Sequence, residues 1–162
     1  MKTKLPVLTG ALLLMLLPLD GHSKGRNLFA VLDGFQEVPS VLTEGSGNFR
    51  GRINHDGSIS FVLDVRNLTD VIIAAHIHFA QEGVNGPVVV TLCGGPPPAV
   101  VPLCDTRISG TITPELVSGG GAAQGLEAGD LQGLLKVLRN GSGYINVHTP
   151  PFPAGEIRGK IR

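Results

Sequence analysis

The sequence predicts an all-β domain, a sandwich or barrel of antiparallel strands with one short helix. Three observations predict it. Glycine and proline are abundant, with 23 and 12 residues, while aromatics make up only 4%. Short apolar runs recur between turn signals. Several of those runs alternate apolar and polar residues, the period of a half-buried strand.

The elements follow in order. Leu28 to Leu32 is a strand that stops at Asp33-Gly34. Gly47 to Asn54 is the second, with Phe49 and Ile53 on one face. His55-Asp56-Gly57 is a tight turn, since Asp-Gly suits the left-handed backbone a hairpin needs. In the third strand Ile59, Phe61, Leu63 and Val65 alternate with Ser58, Ser60, Asp64 and Arg66, so the two runs make a hairpin with one buried face. Val71 to Phe79 is apolar almost throughout, as in a strand covered on both sides. Gly83-Val84-Asn85-Gly86-Pro87 is a turn. Val88 to Val90 resumes as strand and leads to Cys93. Another strand runs from Arg107 to Thr113. Val117 to Gly125 is rich in Gly and Ala and reads as a mobile surface loop. Asp130 caps a helix whose leucines, at 131, 134, 135 and 138, recur at helical spacing; Asn140-Gly141 stops it. Gly143 to Thr149 is a strand, Pro150 to Pro153 a turn, and Glu156 to Ile161 the last strand.

The first residues read as a leader rather than as part of the fold. Lys2 and Lys4 precede an apolar run from Leu5 to Leu19, and Gly21-His22-Ser23 puts small residues before a cleavage point. This is the pattern of a signal peptide over residues 1–23, with one domain over 24–162. The run is shorter than the ~20 residues a spanning helix needs, so no transmembrane anchor is expected after cleavage. The location implied is secreted or periplasmic. Cleavage removes Lys2, Lys4 and Asp20 and leaves a net charge of −1. That balance excludes nucleic acid as an expected partner, because phosphate binding needs a clustered basic excess. The length suits one domain with a real core. The two cysteines, Cys93 and Cys104, are an even count in an exported chain and predict one disulfide. Closing a loop of that size stabilises by on the order of 3 kcal/mol.

Three histidines carry the sharpest chemistry. Residues i and i+2 of a strand share a face, so His76 and His78 project side by side in Ala75-His76-Ile77-His78. If Asn146-Val147-His148-Thr149 pairs nearby, His148 completes a cluster. Three neutral imidazoles suit copper or zinc and leave an open coordination position. Tyr144 and Asn146 share the face of His148 and are expected near the same site, with a place in the core the equal alternative for Tyr144. The plainer alternative is a structural network, in which the histidines bond to carbonyls or to acids such as Glu156, with Asn146 and Thr149 completing it. Glu156 and Arg158, two apart, are expected to share a face and form an ion pair. His55 lies in a predicted turn and is not expected to join the cluster. No Gly-x-Ser-x-Gly, phosphate loop or dinucleotide fingerprint is present.

A run of ordered motifs gives a resemblance. They are Phe29-Ala30-Val31-Leu32-Asp33-Gly34, Gln36-Glu37-Val38-Pro39, Gly47-Asn48-Phe49 and Ala75-His76-Ile77-His78. Gly83 to Val89, Tyr144 to Thr149 and Pro153-Ala154-Gly155-Glu156-Ile157-Arg158-Gly159 follow. The chain resembles the CHRD domain family, named for the repeats of chordin, over nearly all of its mature length. Phe79-Ala80, Lys160 and the cysteine loop depart from the pattern; the histidines do not. The resemblance implies an immunoglobulin-like β-sandwich and an exported location, and it implies no reaction. The His-x-His strand with a distant Val-His also looks like the copper site of copper/zinc superoxide dismutases, an analogy of local pattern and fold class. Three functions are thus expected. One is a binding module for an extracellular protein or matrix partner, with a three-histidine metal site. Another is a superoxide-dismutase-like, copper-dependent oxidoreductase. The third is a protein-binding domain whose histidines are purely structural.

Overall fold

A computed structural model describes residues 26–95 and 102–162. The expected signal peptide and most of the Gly/Pro loop between the cysteines lie outside the described residues. The strands are β1 (Asn27–Asp33), β2 (Ser46–Ile53), β3 (Ile59–Arg66), β4 (Ala74–Phe79), β5 (Val88–Gly94), β6 (Arg107–Ile112), β7 (Gly143–Thr149) and β8 (Phe152–Lys160), with helix α1 (Leu131–Arg139) before β7.

All eight strands belong to one antiparallel sheet in the order β5-β4-β7-β8-β1-β2-β3-β6. The sequence suggested separate facing sheets or a barrel; the hydrogen bonding is continuous, and the sheet curls into a nearly closed barrel. Its midpoint is the β8–β1 seam. Asp33 lies opposite Arg158 there, and Phe29 and Arg162 exchange two backbone hydrogen bonds of 2.9 Å. The two ends of the order, β5 and β6, lie against each other. The expected disulfide joins Cys93 of β5 to Cys104, just before β6.

The core lies inside this curl. Alternation decides which residues enter it: β1 buries Leu28, Ala30 and Leu32 and exposes the residues between them, and β3 buries Ile59, Phe61, Leu63 and Val65. The α1 leucines at 131, 134, 135 and 138 join the same cluster; burying each contributes about 2 kcal/mol. As the sequence predicts, the Asp130 carboxylate caps α1 by accepting from the Gly133 N–H at 2.8 Å. Gly141, at φ 71°, takes the left-handed turn that ends it.

Four expectations are corrected. Strand β4 begins at Ala74 rather than Val71, leaving Val71 and Ile73 exposed. The preceding segment is tied elsewhere, through Thr69 to Glu156. Strand β8 begins at Phe152, so the turn is only Pro150-Pro151. The segment expected as a mobile loop is a packed 3₁₀ turn over Gly119–Gln124. Val117 is buried and bridges Val90, Ser118 donates its N–H to the Val89 carbonyl at 2.9 Å, and Gly121 packs closely on Leu126 and Val89. Finally, Glu156 and Arg158 do not pair. The β7–β8 register slips between Val147 and Thr149, and such an irregularity breaks the two-residue alternation that a shared face requires.

Candidate metal centre

Strand β4 lies between β5 and β7, and its pairing with β7 assembles the site. His78 is opposite Tyr144, His76 opposite Asn146, and Ala74 opposite His148. All these residues alternate with core positions such as Ala75, Ile77, Ile145 and Val147, so they form a layer on the outer side of the sheet. The layer is nonetheless largely covered, with His76 half-buried. His78, Tyr144, Asn146 and His148 are all at least nine-tenths buried, and every residue of β7 is buried.

The three histidines come together. His76 and His148 have ring centroids 4.9 Å apart, His76 and His78 5.8 Å, and His78 and His148 6.3 Å. One nitrogen from each lies within 4.8 Å of the other two. A tetrahedral ion with bonds of 2.0–2.1 Å needs nitrogens about 3.3 Å apart, so the rings would have to draw together for all three to share one ion.

Backbone carbonyls fix the tautomers. His78 Nδ1–H donates to the Gly86 carbonyl at 2.8 Å, and His148 Nδ1–H donates to the Pro153 carbonyl at 3.1 Å. A carbonyl can only accept, so each ring carries its proton on Nδ1 when neutral and keeps a lone pair on Nε2. His148 Nε2 meets His76 Nδ1 at 3.1 Å. His78 Nε2 is buried and meets no donor. A ring held by its far N–H with the other nitrogen bare is the arrangement metal-binding histidines usually adopt. Burial, aided by the like charges of His148 and His78, pulls His76 down to about 4. Burial also pulls His78 to about 4 against the Gly86 carbonyl, and lowers His148 against the Pro153 carbonyl. The rings are therefore neutral at physiological pH; the His78 Nε2 lone pair is free, while that of His148 Nε2 faces His76 Nδ1, a contact an ion would have to replace.

Tyr144 supports the cluster. Its ring stacks on His78 at 4.8 Å, and the Arg158 guanidinium lies 3.4 Å from its centroid, a cation–π contact. Its hydroxyl accepts from the Gly86 N–H at 3.1 Å. Arg158 also donates to Asn85 Oδ1 and the Val84 carbonyl, at 3.0 and 2.7 Å. The 83–87 turn, whose Gly86 carbonyl orients His78, is thus pinned from β7 and β8 together.

Glu156 sits elsewhere. Its fully buried carboxylate accepts from the hydroxyls of Thr43, Thr69 and Thr149 and from the Thr69 N–H. Burial pushes this carboxyl up, and the four hydrogen bonds hold it below the usual range. None of these contacts is with a histidine. His55 meets Arg26 in the β2–β3 hairpin region, outside the cluster.

Sequence reasoning did not single out Glu37. Its carboxyl is buried against Gly155, and its Oε1 has no partner. Asn146 Oδ1 is the third buried acceptor without one, and both oxygens crowd the point where a Cβ on Gly155 would sit. Burial pushes Glu37 up to about 7, against the pull of Arg158. Glu37 also lines a cavity of about 290 Å³ with Tyr144 and Arg158. In the sequence Glu37 appears only within the Gln36-Glu37-Val38-Pro39 motif, with no periodicity to mark it as buried.

Residues 28–161 match the CHRD domain family. No curated protein and no solved structure matches the chain.

Proposed function

Since the chain belongs to the CHRD domain family, we propose that it is an exported binding module whose His76, His78 and His148 hold a copper or zinc ion. The observation that carries this reading is His78 Nε2, buried and bare while a carbonyl holds Nδ1. Leaving such an acceptor unmatched costs about 1–3 kcal/mol, which a bound cation would offset. The ion would act as a Lewis acid with one coordination position open. Tyr144 and the Gly86 carbonyl orient His78, and the Pro153 carbonyl orients His148.

The binding reading leads over the oxidoreductase. A dismutase-like copper site calls for more histidines than three, and His55 is engaged with Arg26. Export is supported by the leader pattern and by the disulfide. We also read the curled sheet as two halves, β5-β4-β7-β8 and β1-β2-β3-β6, folded over one core as in an immunoglobulin-like or superoxide-dismutase-like sandwich. The shared hydrophobic cluster supports this.

Nitrogen NMR of the imidazoles tests the metal reading. Zinc added to untagged protein is expected to shift Nε2 of His78 and His148 while their Nδ1 protons stay in place. Resonances that zinc leaves unmoved would contradict it.

A further inference from the structure

The chain has no net charge, with 13 basic and 13 acidic residues, yet its cations are unevenly placed. The outer face of β1 and β2, next to the tail of β8, gathers several of them. Arg162, Phe29, Arg50 and Val62 form one cross-strand row. Asn27, Arg52, Ser60 and Thr111 form the next. Arg50, Arg52 and Arg162 are exposed, and Phe29 is 53% exposed between two of them. A shallow groove of about 390 Å³ runs across this face, lined by Asn27, Phe29, Arg50, Arg52 and Ser60 and by no carboxylate. Asp64 binds Arg50 at 2.7 Å and is shared with Arg107. Asp56, in the adjoining hairpin, is turned onto Ser58. Among the described residues Arg52 and Arg162 make no ion pair.

We propose that this face docks a linear polysaccharide that carries carboxylates, a polyuronate. Arginine forks match carboxylates in bidentate fashion. Ser60 and Asn27 offer hydroxyl and amide partners to sugar hydroxyls, and the bare Phe29 ring gives a flat surface for a sugar ring. The face is open and extended, as a linear polymer needs, and lacks the enclosed aromatic pocket that anchors a protein partner. Asp64 already holds Arg50, so Arg52 and Arg162, on adjacent cross-strand rows, are the forks left to engage neighbouring groups of one chain. The proposal relies on the exported reading only for where such a polymer is met. It is independent of the histidines, and binding by the purified protein succeeds or fails whatever the metal result.

Calorimetric titration with polygalacturonate oligomers tests it, with the methyl-esterified form as the uncharged counterpart. Polygalacturonate is expected to bind, with affinity falling as salt rises, and the esterified form to bind at least tenfold more weakly. Arg52→Ser with Arg162→Ser should weaken binding at least tenfold. Lys136→Ser with Arg139→Ser, which removes the same charge from α1, should stay within twofold. Phe29→Ser, which leaves the charge unchanged, should weaken binding at least threefold. No binding, equal loss from both charge pairs, no effect of Phe29→Ser, or tighter binding to polyglutamate or anionic vesicles would overturn it.

Discussion

Glu156→Gln probes the most heavily hydrogen-bonded side chain among the described residues. Glu156 Oε1 accepts from the Thr43 hydroxyl at 2.7 Å and the Thr69 N–H at 2.9 Å; Oε2 accepts from the Thr69 and Thr149 hydroxyls at 2.9 and 2.7 Å. These bonds tie the segments before β2 and β4 to the end of β7 and the middle of β8. A hydrogen bond to a charged acceptor contributes about 1.5–3 kcal/mol and a neutral one about 1. Glutamine keeps one acceptor and puts an NH₂ where two donors converge. Hydroxyl rotation recovers part of the loss, which leaves a cost of about 2–4 kcal/mol. Urea unfolding at pH 7 should show a lower midpoint with an unchanged slope. The pH dependence supplies the second readout. The folded carboxyl lies below its ordinary 4.5, so its contribution is full above that range and is lost as pH falls through it. The gap between native protein and variant should therefore narrow in acid. A loss under ~0.5 kcal/mol, or a gap that stays constant from pH 7 to pH 3, would refute the reasoning.

Three further outcomes follow from the same geometry. Glu37 keeps its proton up to about 7 when folded, so its contribution is present below about 4.5 and is lost as pH rises to 7. Glu37→Gln should gain on native protein over that window by on the order of 1–2 kcal/mol after screening. The difference between the two proteins cancels the histidines, which act with the opposite sign; a flat difference between pH 4.5 and 7 would contradict this. Cys93→Ser with Cys104→Ser should cost about 3 kcal/mol in urea unfolding under oxidising conditions, and an equal midpoint would count against the disulfide's role. Gly155→Ala should cost about 2 kcal/mol or more, because φ is 131° and the new Cβ would collide with Asn146 Oδ1 and Glu37 Oε1. An unchanged thermal midpoint would show that the cradle is open.

Local signals in the sequence carried much of the fold. Asp130 with the leucines spaced behind it fixed α1, and Asp56-Gly57 with the alternating run behind it fixed the β2–β3 hairpin. His76 and His78 were legible as one face because strand periodicity alone decides it. Their union with His148 was not, since it depends on pairing strands about seventy residues apart. The slip between Val147 and Thr149 was invisible for the same reason, and it sent Glu156 to three threonines instead of Arg158. Glu37 gave no periodic signal, and its burial arises only because Gly155 lets it approach Asn146. The 119–124 turn looked unstructured by composition, yet small residues are what close packing against Val89 and Leu126 requires.

Metal content at equilibrium tests the central claim most directly. Untagged protein dialysed against copper or zinc should retain one ion per chain by elemental analysis, and His76→Ala, His78→Ala or His148→Ala should each lose it while remaining folded. No retained metal, or retention that all three substitutions leave unchanged, would contradict a metal site built from these histidines.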